Sequence, residues 1–460
     1  MAVRAESQPI PQDVLAEAVN STARGLRLGR KTRWTVGLGL LVSSAVTPGV
    51  LGVLASKYPR ETAQALRQTI GLEPTLKLEG IQFAVKDLVT QELYKLGRGP
   101  GDHPYIPDQI ITKSLPPADQ TPPPGPVSPS SFSAELPPTV EPVKPEPFIP
   151  PDTRNLIEKP MKDDGSWSIG GLPTTENDLL MARTIIRVNS SRPYASLVVL
   201  IMDSRRIQLH MVGGAGTEAM GGGKGPGRVP DADIPKLSAV WNGGFQFSHA
   251  EYGIYMDGIE YKPLKPGYAT VATFKDGSIK MGTWGQGDLT KRTDDMVAIR
   301  QNAVLLVDNG EVTPAAKDKE TDTGTWGLMA AGSTNFITYR SAIGLDEKGN
   351  LMIADGSNMS ALDLAKGMWA AGAVVAMQLD INQNWIETGI AVHYSDGQFR
   401  LVPLRDDVSV GYNYVDPKHP QGRDIMYVTQ DDSRFKPRRR KNRGFHERPQ
   451  RLHAHYKAAA

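Results

Sequence analysis

Residues 116–151 hold 14 prolines, three of them in a row at Pro122-Pro123-Pro124. Each proline removes a backbone donor and fixes φ, so neither a helix nor a sheet interior can run through such a stretch. It is expected to stay extended and act as a semi-rigid spacer. The chain must therefore fold in separate parts on either side. We place the linker at 116–160; a PxxP ligand is the less specific alternative.

On the N-terminal side, residues 34–55 read WTVGLGLLVSSAVTPGVLGVLA, 22 residues without a charge. That length suffices to cross a bilayer as a helix. Arg24, Arg27, Arg30, Lys31 and Arg33 precede it, against only Lys57 and Arg60 close behind. The positive-inside rule then keeps residues 1–33 cytoplasmic and sends the C-terminal part to the periplasm or outside. A cleaved leader ending at Val53-Leu54-Ala55 and a buried core helix are the rival readings. Residues 56–115 read as a helical stalk, with Leu78, Ile81, Val85, Leu88 and Leu96 on one face.

Composition narrows the chemistry. The chain has no cysteine, which excludes disulfides, thiolate metal sites and thiol nucleophiles. Lys and Arg total 52 against 50 Asp and Glu, so the balance argues against a generic nucleic-acid binder. The tail 431–460 is the exception: from Arg434 on it carries ten basic residues against Glu447 alone, and reads as a solvated, disordered extension.

Residues 163–430 have the composition of a folded domain. SLVVLIMD at 196–203 reads as a buried strand and RIQLHMV at 206–212 as a half-buried partner. Asp257-Gly258, Asp276-Gly277 and Asn309-Gly310 are hairpin turns. SALDLAKGMWAAGA is a helix capped by Ser360 and closed near Gly372. The glycine-rich 213–227 lacks a phosphate-loop spacing and reads as a mobile surface loop. Hairpins with a late helix imply an α+β domain on mixed or antiparallel sheet.

Three polar constellations interrupt buried strands. AVWNGGFQF offers Asn242 with Gly243 and Gly244, where missing side chains let backbone N–H groups approach an anion or a sugar oxygen; a plain tight turn satisfies the same pattern. YRSAIGLDEKGNLMIADGSN puts Arg340 at the start of one hairpin strand and Asp355 at the end of the other, where they could meet as a salt bridge or as a phosphate and acid–base pair. VVAMQLDINQNW ends an apolar run on Asp380. His249 and Glu251 lack a further partner at helical spacing, so no metal site is expected. His210 and His393 read as strand residues facing solvent or making a core hydrogen bond.

In order, N-G-G-F, the x-D-G and D-N-G turns, R-S-A-I-G-L-D, A-D-G, the helix and A-x-x-L-D resemble the phosphodiester glycosidase domain family, over roughly residues 196–404. The resemblance implies a hydrolase of sugar–phosphate glycosidic bonds without a cofactor. It implies Asn242, Gly243 and Gly244 as substrate contacts, Arg340 as a phosphate or acid partner, and Asp355 and Asp380 as the site's carboxylates. Members of the family usually continue L-D with G-G-G-S-S. Here Ile381, Asn382, Gln383, Asn384 and Trp385 follow, so Asn382, Asn384 and Trp385 are expected as new sugar contacts, unless catalysis is lost. An inactive glycan-binding or scaffolding envelope protein is the alternative. The expected partners are a glycan or sugar-phosphate polymer, the membrane through 34–55, and envelope proteins, with no nucleic acid. A carboxylate held for chemistry predicts that Asp380→Asn leaves stability unchanged or higher.

Overall fold

The computed structural model describes residues 87–97, 104–105, 109–111, 147–217, 220–247, 251–318, 326 and 337–434. The N-terminal tail, the uncharged run 34–55, most of the linker, His249 and residues 435–460 lie outside them. Among the described residues no helix is long and apolar enough to cross a membrane.

Three sheets carry the structure, with strands numbered in chain order. The first has the order β1 (Met181–Arg187), β2 (Ser196–Met202), β13 (Leu351–Met359), β12 (Thr338–Asp346), β14 (Ala373–Ile381), β10 (Leu305–Asp308), β11 (Glu311–Val312). The second has the order β16 (Phe399–Pro403), β15 (Gly389–His393), β4 (Leu237–Asn242), β17 (Ile425–Gln430), β3 (Ile207–Val212). The third has the order β6 (Ile259–Lys262), β5 (Ile254–Met256), β9 (Met296–Gln301), β7 (Ala269–Phe274), β8 (Ile279–Thr283). Neighbouring strands pair antiparallel in all three. The domain is mostly sheet with few helices, an α+β fold of antiparallel type.

Both faces of the seven-stranded sheet are covered, which is why β2 reads as an unbroken apolar run. One face packs Val198, Leu200, Ile343, Met377 and Leu379 against Leu209, Trp241 and Met426 of the second sheet and Val271 of the third. The other packs Leu197, Ala342 and Ala354 against Leu364 and Met368. Those two residues lie on the helix Ala361–Ala370. Ser360 caps it as read from sequence: its hydroxyl accepts from Asp363 N, and the Asp363 carboxylate accepts from Ser360 N. The helix carries the chain from β13 over β12 to β14, so Asp355 and Asp380 stand on strands that flank β12.

The hairpin turns form as expected, with φ of 56° and 74° at Asp257 and Gly258, and 50° and 76° at Asn309 and Gly310. The glycine-rich stretch is not the free surface loop expected. Ala215 N and Gly216 N donate to Gln421 O and Gly422 O, and Gln421 N donates to Gly227 O. A Cβ on Gly214 would collide with the backbone of Gly422 and Arg423. Glycine is needed there because two backbones touch.

The packed body also begins earlier than residue 163. Phe148 is buried in the core, Trp167 Nε1 donates to Pro151 O at 2.7 Å, and Tyr105 is 2% exposed beneath the Arg183 guanidinium. Residues 87–95 are helical. Asp87 accepts a fork from Arg192 (3.0 and 2.7 Å), and Tyr94 meets Tyr194 at 5.2 Å. Leu88 and Leu96 of the expected helical face are exposed, while Leu78, Ile81 and Val85 lie outside the described residues. Polar and aromatic contacts hold the helix to the domain.

Candidate functional site

The end of β14 is irregular, and the irregularity aims Asp380. Arg340 pairs with Ile381 but Ala342 with Gln378, so β14 carries one extra residue opposite Ser341. Such a bulge turns a side chain that the pleat would otherwise send to the other face. The Ser341 hydroxyl replaces the lost ladder partner, accepting from Asp380 N (3.1 Å) and donating to Asp380 O (3.2 Å).

The Asp380 carboxylate meets the second sheet. Its Oδ2 accepts from Asn242 Nδ2 at 2.8 Å and from Arg423 Nη1, and its Oδ1 from Ile381 N at 2.8 Å. Asn242 Nδ2 also donates to Trp385 O at 3.1 Å, and the Arg423 guanidinium lies 3.8 Å over the Trp385 ring. Asn242 Oδ1 is buried with no partner among the described residues. Burial pushes the Asp380 carboxyl up, opposed by Arg423, the Ile381 N–H and the Asn242 amide.

Asp355 stands opposite Ser341 across β12 and β13, so it shares that face. Two strand spacings, roughly 10 Å, separate its backbone from that of Asp380. Its Oδ1 accepts from Thr388 Oγ1 at 2.9 Å, while Oδ2 is buried and unpartnered among the described residues. Burial pushes this carboxyl up to about 7, against the pull of the Thr388 hydroxyl and of Arg405.

Arg340 does not join them. It is paired with Gly356, one residue from the Ser341–Asp355 pair, so the pleat sends it to the helix-covered face. There Nη1 donates to Gln378 Oε1 (2.8 Å) and Trp326 O (2.9 Å), and Nε to Met359 O (3.2 Å). The meeting of Arg340 and Asp355 read from sequence does not occur.

Gly243 and Gly244 serve the backbone. Gly243 N donates to Asp424 O at 2.9 Å, and a Cβ at Gly243 would strike the Asp424 carboxylate. Gly244 has φ +151°. The turn after Asp380 keeps a left-handed residue without glycine: Asn382 has φ 78°, a conformation asparagine tolerates, and its Oδ1 accepts from Asn384 N at 3.4 Å. Asn382 and Asn384 thus shape the turn, and Trp385 reaches the carboxylate cluster.

Sequence reading misses the residues beneath. Arg300, Gln301 and Asn302 are all 0% exposed. Arg300 forks onto Asp424 (2.8 and 3.2 Å) and donates to Phe245 O at 2.6 Å. Asn302 Nδ2 donates to Gln378 O and Leu379 O, both at 2.7 Å, and Oδ1 accepts from Phe245 N at 3.2 Å. These ties bind the Asn242 turn to the end of β14. The polar run RQN closing an otherwise largely apolar strand is the available signal. Thr388, Arg405 and Arg423 leave none, being lone residues in irregular segments.

Other groups lie apart. A groove of about 350 Å³ is lined by Gln208, His210, Asp257, Phe274 and Tyr427, and none of the carboxylate cluster borders it. We centre the site on Asp380, where buried charges and unpartnered polar atoms meet. His210 Nε2 shares a hydrogen bond with Thr429 Oγ1, and His393 Nε2 with Leu237 O. Glu251 pairs with Lys265.

Antiparallel sheets enclosing carboxylate, amide and guanidinium groups at strand ends define an α+β domain with a buried polar cluster. Residues 235–380 match the family model for phosphodiester glycosidase, so the resemblance read from the motifs is shown for that segment. It contains Asn242, Arg340, Asp355 and Asp380 and stops short of Trp385 and Arg423. Among solved structures, the chain is similar to the zebrafish N-acetylglucosamine-1-phosphodiester alpha-N-acetylglucosaminidase catalytic domain, auto-inhibited by its pro-peptide. Identity is 16%, coverage 56% of this chain and 86% of that one, and the TM-score 0.36. A hypothetical protein from Synechocystis gives 12% identity, 57% and 65% coverage, and a TM-score of 0.26. No curated protein matches the chain.

Proposed function

We propose that this protein hydrolyses the glycosidic bond of a sugar–phosphate phosphodiester. The observation that carries the reading is the pair of buried carboxyl groups, Asp355 and Asp380, on one face of the sheet with different partners. Asp380 faces a guanidinium, an amide and a backbone N–H, all of which favour its charged form. Asp355 accepts from the Thr388 hydroxyl and backbone, and burial pushes its carboxyl up to about 7. Burial raises both carboxyls, but only Asp380 is bonded to a guanidinium, a difference that suits a carboxylate and an acid acting on one bond. In this reading Asp380 stabilises the oxocarbenium-like centre or directs water, and Asp355 orients the diester or supplies a proton. A phosphate leaving group departs as a stable anion, so orientation and charge stabilisation dominate.

The setting we propose is the cell envelope or an exopolysaccharide, with the domain tethered outside the cytoplasm by residues 34–55. Its partners would be a glycan or sugar-phosphate polymer and neighbouring envelope proteins. The test is release of free sugar from a panel of sugar 1-phosphodiesters. Turnover that falls by two orders of magnitude or more in both Asp380→Asn and Asp355→Asn is the expected result. No turnover by the wild type on any diester sinks the reading. The closed ion pair on Asp380 and the altered residues after it favour a second reading, a glycan-binding domain. That reading predicts binding without turnover.

A further inference from the structure

Most buried arginines of this fold spread their donors over several acceptors. Arg300 serves Asp424, Phe245 O and Gln301 O, and Arg405 serves Asp407, Ser196 and Ser357. Arg423 does not. It is 7% exposed, yet Nη1 donates to Asp380 alone, and Nε and Nη2 have no partner among the described residues. A guanidinium fork left open is shaped for a second, bidentate acceptor. Its one other contact is the Trp385 ring, a surface along which a guanidinium can shift without losing the contact.

The backbone beneath Arg423 is held on both sides, while its side chain has fewer ties. The glycine-rich stretch holds Gly422, Arg300 grips Asp424, and Gly243 N is bonded to Asp424 O. The side chain between them depends on a single carboxylate. Beside it, Asn242 Oδ1 is an unpartnered acceptor. A ligand offering anionic oxygens to Arg423 and hydroxyl donors to Asn242 would satisfy both.

We infer that Arg423, resting on Trp385, recognises the phosphate of a sugar phosphate, exchanging Asp380 for the anion's oxygens when the ligand enters. This rests on the proposed sugar–phosphate reading and supplies the phosphate contact that Arg340 cannot make from the opposite face. It also gives Asp380 a free carboxylate once the ligand is bound. The exchange is a competition. Removing the carboxylate strengthens anion binding, and removing the guanidinium abolishes the preference for an anion.

The test uses the full-length chain, glucose 1-phosphate as probe and methyl α-glucoside as its neutral counterpart, with titration calorimetry. Arg423→Gln alone leaves Asp380 buried without a counter-charge and is prone to misfold, so the comparison is Asp380→Asn against the Asp380→Asn/Arg423→Gln pair. Asp380→Asn is expected to bind glucose 1-phosphate tighter than wild type. It is expected to bind at least tenfold tighter than the double variant, while the glucoside binds all three alike. Asp380→Asn combined with Arg423→Lys should fall between, because lysine keeps the charge and loses the fork. Equal affinity of Asp380→Asn and the double variant for glucose 1-phosphate overturns the inference, as does the absence of binding by Asp380→Asn at millimolar probe. Wild type that binds the probe in this pattern but releases no sugar from any diester sinks the hydrolase reading and upholds Arg423. Turnover together with unchanged binding in the double variant sinks Arg423 alone.

Discussion

Asp380 shows how a single partner changes the outcome expected of a substitution. From sequence, Asp380→Asn should leave stability unchanged or higher. In the structure the carboxylate is the counter-charge of Arg423. The amide therefore leaves a largely buried guanidinium unpaired, at a cost of about 1–3 kcal/mol. Thermal unfolding should show this loss, and adding Arg423→Gln should recover most of it. A fully stable single variant would mean that the pair contributes nothing to the fold. Asp355 predicts a pH dependence of definite sign. Its unfolded value is near ~3.9, and burial raises the folded one to about 7. The native state therefore keeps a proton that the unfolded chain gives up. The stability it contributes is fully present below the unfolded value and is lost as pH rises through about 7. Urea midpoints measured from acid to mildly alkaline pH should fall over that window in the wild type and stay flatter in Asp355→Asn. Parallel curves would show that Asp355 titrates elsewhere.

The bulge in β14 is the element on which the site turns. Without the extra residue opposite Ser341, the pleat would place Asp380 among the side chains that face the helix. Two side chains hold it. Ser341 replaces the missing ladder bond, and Asn302 clamps the carbonyls of Gln378 and Leu379. Asn302→Ala removes three hydrogen bonds at a fully buried position, with an expected loss of about 2–4 kcal/mol. Because Asn302 also accepts from Phe245 N, the Asn242 turn should loosen with it. Amide exchange at Phe245 should therefore accelerate beyond what global destabilisation explains. Protection unchanged relative to the global stability would show that the clamp acts on β14 alone.

The whole molecule includes chain that composition assigns to the linker. Phe148 and Pro151 touch the core, Arg154 N donates to Ala370 O, and helix 87–95 returns to Arg192. A chain starting at residue 147 should unfold cooperatively. One starting at 163 should have a lower Tm, since it loses the Phe148 contact and leaves Trp167 Nε1 without its acceptor. Equal Tm values would return the boundary to 163. For topology, protease added to intact spheroplasts should digest the domain and spare residues 1–33. A protected domain would overturn an outward orientation.

Local rules make much of the fold legible in the chain itself. Asp-Gly and Asn-Gly turns, the Ser360 cap and the unbroken apolar strands depend on dihedral preferences and periodicity, which neighbouring residues decide. Asp380 is legible as a carboxylate ending an apolar run, and Asn242 as the first polar residue after another; the fold joins them by one hydrogen bond. Other features depend on contacts remote in sequence. Arg340 and Asp355 look like partners because a hairpin brings their strands together, but a one-residue offset across the pleat puts them on opposite faces. The partner of Asp380 lies 43 residues further on. It is held there by a glycine-rich stretch whose need for glycine is set by the backbone it touches. Register and bulges are chosen by the packing of all three sheets together. Sequence alone therefore determined the turns, the cap and the apolar strands, while tertiary packing decided which charged side chains meet.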